Sequence, residues 1–320
     1  MDVVCLGNAT TDVFILLNRL QKFSYDKFTN KISFPLGDKV PLDEYKMTLG
    51  GNACNVSVGL TRLGFHTALA VNLGSDEFSR KIEKSLIGEG VNLSLAKKND
   101  NREDHFNIIL AFDGERTILE EKSPENPSAT AGNLNPKLIY LTSLGANWWE
   151  TYEEALLNNP ISKFAMNPGP RQIENNKDEV IKFLPKMEIL FLNLAEAQSL
   201  IGEETGDVKG ILSKLSSFGS KIVVITDGRN GSYAFTNNQA FHLDVVSPSK
   251  PKERTGAGDA YSSGFMYGYI TNKSIEDCMK YGAINADSVI SKIGGQEGLL
   301  KKIEMEEKYN NMQNLTASKV

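Results

Sequence analysis

The sequence predicts an α/β protein with a largely parallel sheet, on three observations. Short apolar runs recur along the chain, amphipathic helical patterns separate them, and two stretches break the alternation in a way that adds strands without helices. The apolar runs are DVVCLG (2–7), KLIYL (137–141), KFAMN (163–167), EILFLN (188–193) and KIVVIT (221–226). Each has the continuous hydrophobicity of a strand buried on both faces. Among the helical patterns, Asn52 to Leu63 sets Ala53, Val56, Leu60 and Leu63 on one face, and Asp207 to Phe218 does the same with Val208, Ile211, Leu215 and Phe218. The first irregular stretch, 12–48, alternates apolar and polar residues with turn residues at Asn30, Pro35, Gly37 and Pro41. The second, HFNIILAFDGERTILEEK (105–122), predicts a hairpin around Asp113–Gly114. Together they predict a small separate sheet that could cover a mouth. Residues 301–320 are polar and predict a surface helix with a frayed end.

Composition narrows the function classes. Of 320 residues, 40% are hydrophobic and 23% charged, and a net charge of −5 argues against non-specific nucleic-acid binding. Cys5, Cys54 and Cys278 are scattered, with no CxxC pair or His/Cys cluster, which predicts free buried thiols in a reducing compartment rather than a thiolate metal site. His66, His105 and His242 are isolated and read as structural residues. The N-terminus reads as a strand rather than a signal peptide, and no apolar run approaches ~18 residues. The expectation is a cytoplasmic protein with neither membrane nor nucleic-acid partner.

Parallel sheets bind ligands beyond the carboxyl ends of their strands. Polar and glycine residues gather at those positions: Gly7 to Asp12, Asn167 to Arg171, Asn193 to Glu196, and Thr226 to Gly231. The P-loop, the GxGxxG dinucleotide turn, HExxH and GxSxG are absent. The stretch ERTGAGDAYSSGF (253–265) sets a carboxylate behind a glycine turn at a predicted helix mouth. From the residues alone, Asp259 is either a solvated helix cap or a proton acceptor beside a bound anion.

TLGGNACNVSVGLTRLG (48–64) and RTGAGDAYSSGF (254–265) resemble the two signatures of the ribokinase-like (PfkB) carbohydrate kinases, in the same order and spacing. NPGPR, NLAEA and VVITDGRNGSYAF resemble that family's central segments, so the resemblance covers nearly the whole chain. It implies a three-layer α/β/α sandwich with a small β-sheet lid, as one kinase domain over 1–320 with lid segments at approximately 13–48 and 103–122. It implies transfer of the γ-phosphoryl group of ATP, with Mg²⁺, to a sugar hydroxyl. The alternative acceptor is a nucleoside, with Phe14, Phe23, Phe28, Phe34 or Tyr45 as the wall for its base. A non-catalytic sugar sensor would have no need of the base and magnesium motifs together.

The resemblance also implies roles. Asp259 matches the catalytic base, and Gly256, Ala257 and Gly258 the anion hole, with the N–H groups of Thr255–Asp259 facing the phosphoryl group. Asp12, Asn8, Gly50, Gly51 and Asn55 match acceptor-binding positions. Asn167, Thr226, Gly228, Gly231, Thr255 and Asn285 match nucleotide-binding positions, with Asn285 on the helix lining the adenine pocket. Asn193 and Glu196 match the motif that organises Mg²⁺ through water. One departure stands out. The second signature usually opens Asp-Thr-Thr-Gly, and its leading Asp helps hold a monovalent cation; here it opens Glu253-Arg254-Thr255-Gly256. Arg254 pointing inward would supply that charge and make turnover depend only weakly on K⁺; Arg254 pointing to solvent would leave Glu253 to reach an ion. Lid edges of such kinases often pair between subunits, so a homodimer through the lid is expected.

Overall fold

The computed structural model describes residues 1–17, 22–42, 44–99, 106–113, 115–120, 129–247 and 251–320. The chain begins with β1 (Val3–Leu6) and crosses to a second sheet with β2 (Thr10–Leu16), a short hairpin of β3 (Ser24–Asp26) and β4 (Lys31–Ser33), and β5 (Tyr45–Gly50). It returns through α1 (Asn52–Arg62), β6 (Thr67–Ala70), β7 (Asn72–Leu73), α2 (Glu77–Gly88) and β8 (Lys97–Lys98). The hairpin β9 (Phe106–Phe112) and β10 (Glu115–Glu120) goes back to the second sheet. There follow β11 (Leu138–Thr142), α3 (Trp148–Asn158), β12 (Lys163–Asn167), α4 (Pro170–Phe183), β13 (Ile189–Asn193), α5 (Leu194–Ile201), α6 (Val208–Ser217) and β14 (Ile222–Thr226). The chain ends with β15 (Ser232–Thr236), β16 (Gln239–Leu243), α7 (Ala257–Ile270), α8 (Ile275–Ile290), α9 (Lys302–Asn311) and β17 (Ser318–Lys319).

The main sheet runs β17-β16-β15-β14-β13-β12-β11-β1-β6. It is parallel from β14 to β6 and antiparallel over the last three pairings. Strand alternation feeds a core on each face. Val3, Cys5 and Tyr140 pack with α1, α7 and α8 residues, and Val4, Leu6 and Leu141 with α3 to α6 residues, which makes three layers. All three cysteines are free and buried. Among the described residues no helix is long and apolar enough to cross a membrane.

The predicted strands and helices form within a residue or two of the expected bounds. Asp207 turns out to be the N-cap of α6, its carboxylate accepting the Gly210 N–H at 3.0 Å. The lid sheet runs β10-β9-β2-β5. The β3–β4 hairpin pairs only with itself and stands beside that sheet rather than in it. Residues 103–105, Gly114, Glu121 and Lys122, part of the expected second lid segment, lie outside the described residues. The expected frayed end is corrected: after α9 the tail adds β17 to the edge strand β16, and the Val320 N–H donates to the Ala240 carbonyl at 3.0 Å. An open sheet edge offers unpaired backbone groups, and the tail takes them.

Helices α7 and α8 approach so closely that a Cβ at Gly264 would lie 2.4 Å from the Tyr281 carbonyl oxygen. Gly264→Ala should therefore destabilise the protein by ~1–3 kcal/mol in chemical denaturation, despite alanine's better helix propensity, because the obstacle is backbone. Unchanged stability would show that the two helices separate freely.

Candidate active site

The parallel strands β1, β12, β13 and β14 all end at one edge of the main sheet, and there they set down Asn8, Asn167, Asn193 and Thr226. These residues line a cavity of about 420 Å³ together with Asp12, Gly51, Asn55, Glu196, Thr255, Gly256, Gly258 and Asp259. A second, more apolar cavity of about 350 Å³ lies alongside, lined by Thr226, Gly228, Gly231, Ala257 and Gly258 and walled by Val246, Tyr261, Ala283, Ala286 and Ile290. Thr226, Arg254 and Gly258 border both cavities.

Asp259 stands in the first turn of α7 and is only 7% exposed. Its Oδ2 accepts a hydrogen bond from the Asn55 amide at 2.8 Å. Gln296 donates in turn to Asn55 Oδ1 at 3.0 Å and lies 3.2 Å from Cys54 Sγ. Burial pushes the Asp259 carboxyl up to about 7; the Asn55 bond opposes this, and the charges of Glu196 and Asp12 add to it. A group with that pKa can take a proton near neutral pH.

The turn before α7 requires glycine at Gly256, where φ is 76° and a Cβ would lie 2.5 Å from the Gly295 Cα. At Gly258 no atom lies within 4 Å of the site of a Cβ, so the cavity itself occupies that space. The expected set of anion-facing N–H groups narrows. The Thr255 N–H donates to Glu253 Oε1 at 2.7 Å and the Ala257 N–H to the Arg254 carbonyl at 3.2 Å. Gly256, Gly258 and Asp259 keep their N–H groups without a backbone partner among the described residues, at the positive end of the α7 dipole.

Asp12, 3% exposed, lies on the lid strand β2. Its Oδ1 accepts from Asn107 Nδ2 at 2.9 Å and Thr10 Oγ1 at 3.1 Å, and burial raises its pKa. Gly50 does not line the cavity. A Cβ there would come within 2.1 Å of Asp12 Oδ2, so Gly50 makes room for the carboxylate instead. Asn193 and Glu196 form a reciprocal cap at the start of α5: Asn193 Oδ1 accepts the Glu196 N–H at 2.8 Å and Glu196 Oε2 the Asn193 N–H at 2.9 Å. Burial pushes the Glu196 carboxyl up to about 7. Among the described residues no three His, Cys, Asp or Glu side chains come together as a metal cage. Glu196 as a single carboxylate ligand at a polar cavity fits a hard ion that keeps most of its waters and ligates nucleotide oxygens.

With Gly50, Asn285 is corrected, and the direction of Arg254, open in the sequence, is fixed. Asn285, expected among the nucleotide-binding residues, lines neither cavity. It is fully buried, donating to the Ala260 carbonyl and Ser263 Oγ at 3.0 Å each and accepting the Leu300 N–H at 3.1 Å. It bolts α8 to α7, and the smaller cavity takes Ala283, Ala286 and Ile290 from the adjoining face of α8. Arg254 does not turn to Glu253; its Nη1 pairs with Glu115 Oε1 on the lid at 2.9 Å. The cation beside Glu253 is the lid's Arg116, with Nη1 4.0 Å from Oε1. Glu253 is 2% exposed, and its Oε2 is buried with no hydrogen-bond partner.

The lid supplies residues that the sequence reading missed: Asn107 and Ile109 from β9, and Arg116, Ile118 and Glu120 from β10, all lining the larger cavity. Period-two alternation along the predicted hairpin was the available signal. Nothing in the sequence marked Gln296. The aromatic residues expected as a base wall lie elsewhere. Phe14 is buried, Phe23 packs against Phe34 and Phe112 with ring centroids 6.5 and 5.3 Å away, and Phe28 and Tyr45 are exposed.

Comparison with known proteins gives the family. An uncharacterized sugar kinase of Archaeoglobus fulgidus is 28% identical over 254 residues, covering 77% of this chain and 100% of that protein. A 5-dehydro-2-deoxygluconokinase of Halalkalibacterium halodurans is 24% identical over 339 residues, covering 95% and 93%. The crystal structure of the Methanocaldococcus jannaschii nucleoside kinase, an archaeal member of the ribokinase family, superposes with a TM-score of 0.77 at 20% identity, covering 97% of this chain and 99% of that one. A family model for the pfkB family carbohydrate kinases matches residues 18–302, and the chain belongs to that family.

Proposed function

We infer that the protein, as one cytoplasmic kinase domain closed by its lid, transfers the γ-phosphoryl group of ATP to a sugar hydroxyl. The observation that carries this reading is Asp259, a buried carboxyl that lines the larger cavity next in sequence to Gly258, which borders both cavities. The apolar cavity takes the nucleotide base between Val246 and the α8 face, and the polar cavity takes the acceptor. Asp12 and the buried, unpartnered Oδ1 of Asn107 accept hydrogen bonds from acceptor hydroxyls. The reacting hydroxyl gives its proton to Asp259 as its oxygen bonds to the γ-phosphorus. The bond from that phosphorus to the bridging oxygen breaks, and ADP leaves with the electron pair. The N–H groups of Gly256, Gly258 and Asp259 receive the charge that builds on the transferring oxygens. Asn167, its amide donating to the Phe191 carbonyl at 2.9 Å, borders the phosphate side. Glu196 would hold Mg²⁺ through water, and the ion would supply neutralisation of phosphate charge. Glu253 Oε2 fits a monovalent cation, with Arg116 as a competing source of positive charge.

A nucleoside acceptor is the second reading. Its support is the likeness to the archaeal nucleoside kinase and the apolar pair Ile109 and Ile118 over the cavity. A panel of pentoses, hexoses, sugar acids and nucleosides separates the two, and ATP turnover with none of them would overturn both. A second copy pairing at the lid edges β5 and β10 is part of the same reading, and mass in solution checks it.

Asp259→Asn keeps an acceptor oxygen for Asn55 but removes the base, so turnover should fall at least ~100-fold in a protein that still folds. Near-normal turnover would remove Asp259 from the chemistry. The wild-type kcat/KM should drop as pH falls below about 7, because the base must be ionised. Glu196→Gln should move that limb to lower pH, since a neighbouring negative charge is lost. Asp12→Ala should weaken acceptor binding by ~1.5–3 kcal/mol with nucleotide affinity unchanged, by calorimetry.

A further inference from the structure

Arg254 occupies a place that disfavours a cation. It lies just ahead of α7, whose first turn carries the positive end of the helix dipole, so its charge is unfavourable there until an anion arrives. It borders both the nucleotide and the acceptor cavity. Its partner is Glu115, the first residue of the lid's edge strand β10, at 2.9 Å. Glu115 is 68% exposed and Arg254 33%, and an ion pair so open to solvent holds weakly. The lid does not depend on it, because β10 is held by its six-residue register with β9, and β9 by its pairing with β2.

We propose that Arg254 binds the phosphates of the nucleotide and that Glu115 holds its guanidinium until the nucleotide arrives. This rests on the reading of the smaller cavity as the nucleotide site. A guanidinium fork matches phosphate oxygens with two parallel hydrogen bonds, while the exposed carboxylate of Glu115 competes for the same donors. Nucleotide binding must therefore break the Arg254–Glu115 contact, while the Arg116–Glu253 contact between the same turn and β10 remains. Glu115 lowers nucleotide affinity by the cost of that exchange.

The test is calorimetric binding of Mg·ADP and of adenosine to the full chain, in wild type, Glu115→Gln, Arg254→Gln, Arg254→Lys and the double Gln variant. Arg254→Gln should weaken Mg·ADP about tenfold, and Arg254→Lys should recover part of that, since a lysine keeps the charge but not the fork. Glu115→Gln should tighten Mg·ADP by about threefold or more, and the double variant should match Arg254→Gln, because the competitor matters only while Arg254 is present. Adenosine, which lacks phosphates, should bind all five proteins alike. An unchanged Mg·ADP affinity in Glu115→Gln overturns the exchange. An equal loss for adenosine and Mg·ADP in Arg254→Gln makes the residue a support of the base pocket and overturns its phosphate role. In both cases wild-type binding of Mg·ADP still stands for the kinase reading, whereas a wild type that binds neither ligand overturns that reading as well.

Discussion

The hydrogen bond from Asn55 to Asp259 is the contact on which the site depends. It joins α1 to α7, sets one carboxylate oxygen, and leaves the other toward the cavity. Gln296 fixes the amide that makes it, and Asn285 fixes α8 against α7 behind it. The arrangement has a thermodynamic sign. The Asp259 pKa in the fold, about 7, lies above its ordinary 3.8, so the folded protein holds a proton that the unfolded chain would release between those values. Stability contributed by this group is present below 3.8 and is given up as pH rises to about 7. At neutral pH the fold bears a buried carboxyl whose ionised form is disfavoured, which is the condition a proton acceptor requires.

The rest follows from how an open parallel sheet ends. Its strands deliver short polar residues to one edge, and helix α7 brings its dipole to the same edge. What the sheet cannot supply is a roof. The lid comes from two separate excursions of the chain, β2 to β5 and β9 to β10, joined by the parallel pairing of β2 with β9. Asp12 and Asn107 are partners in that register, so the pairing that builds the lid also sets their hydrogen bond at the cavity.

Most of the fold was legible because the signals were local. Apolar runs marked the strands, and an apolar stripe marked α1 and α6. The carboxylate behind Gly256 and Gly258 was legible as a candidate site for the same reason, since a glycine turn and a helix start lie within a few residues. What was not legible depends on side-chain direction and on partners far along the chain. Asn285 looked like a cavity residue because its helix borders the cavity, but only the packing of α8 on α7 shows that it points inward. Arg254 could have turned either way, and Glu115 on another sheet decided it. Gln296 acts through Asn55, a relation that no local pattern carries. The tail looked polar and loose, and the open edge of β16 gave it a strand.

Asn55 and Asp259 are 204 positions apart. At roughly 5–20 residues per second of synthesis, the acceptor side of the site exists for about 10–40 s before its base has been made. During that interval a growing chain can form β1, the lid strands and α1, yet it lacks the helix mouth that gathers phosphate charge. The helices α7 and α8, which wall the smaller cavity, also come late, so that cavity is complete only after Asp259 has been made. The site is thus completed late in synthesis, because its two halves come from distant segments of the chain.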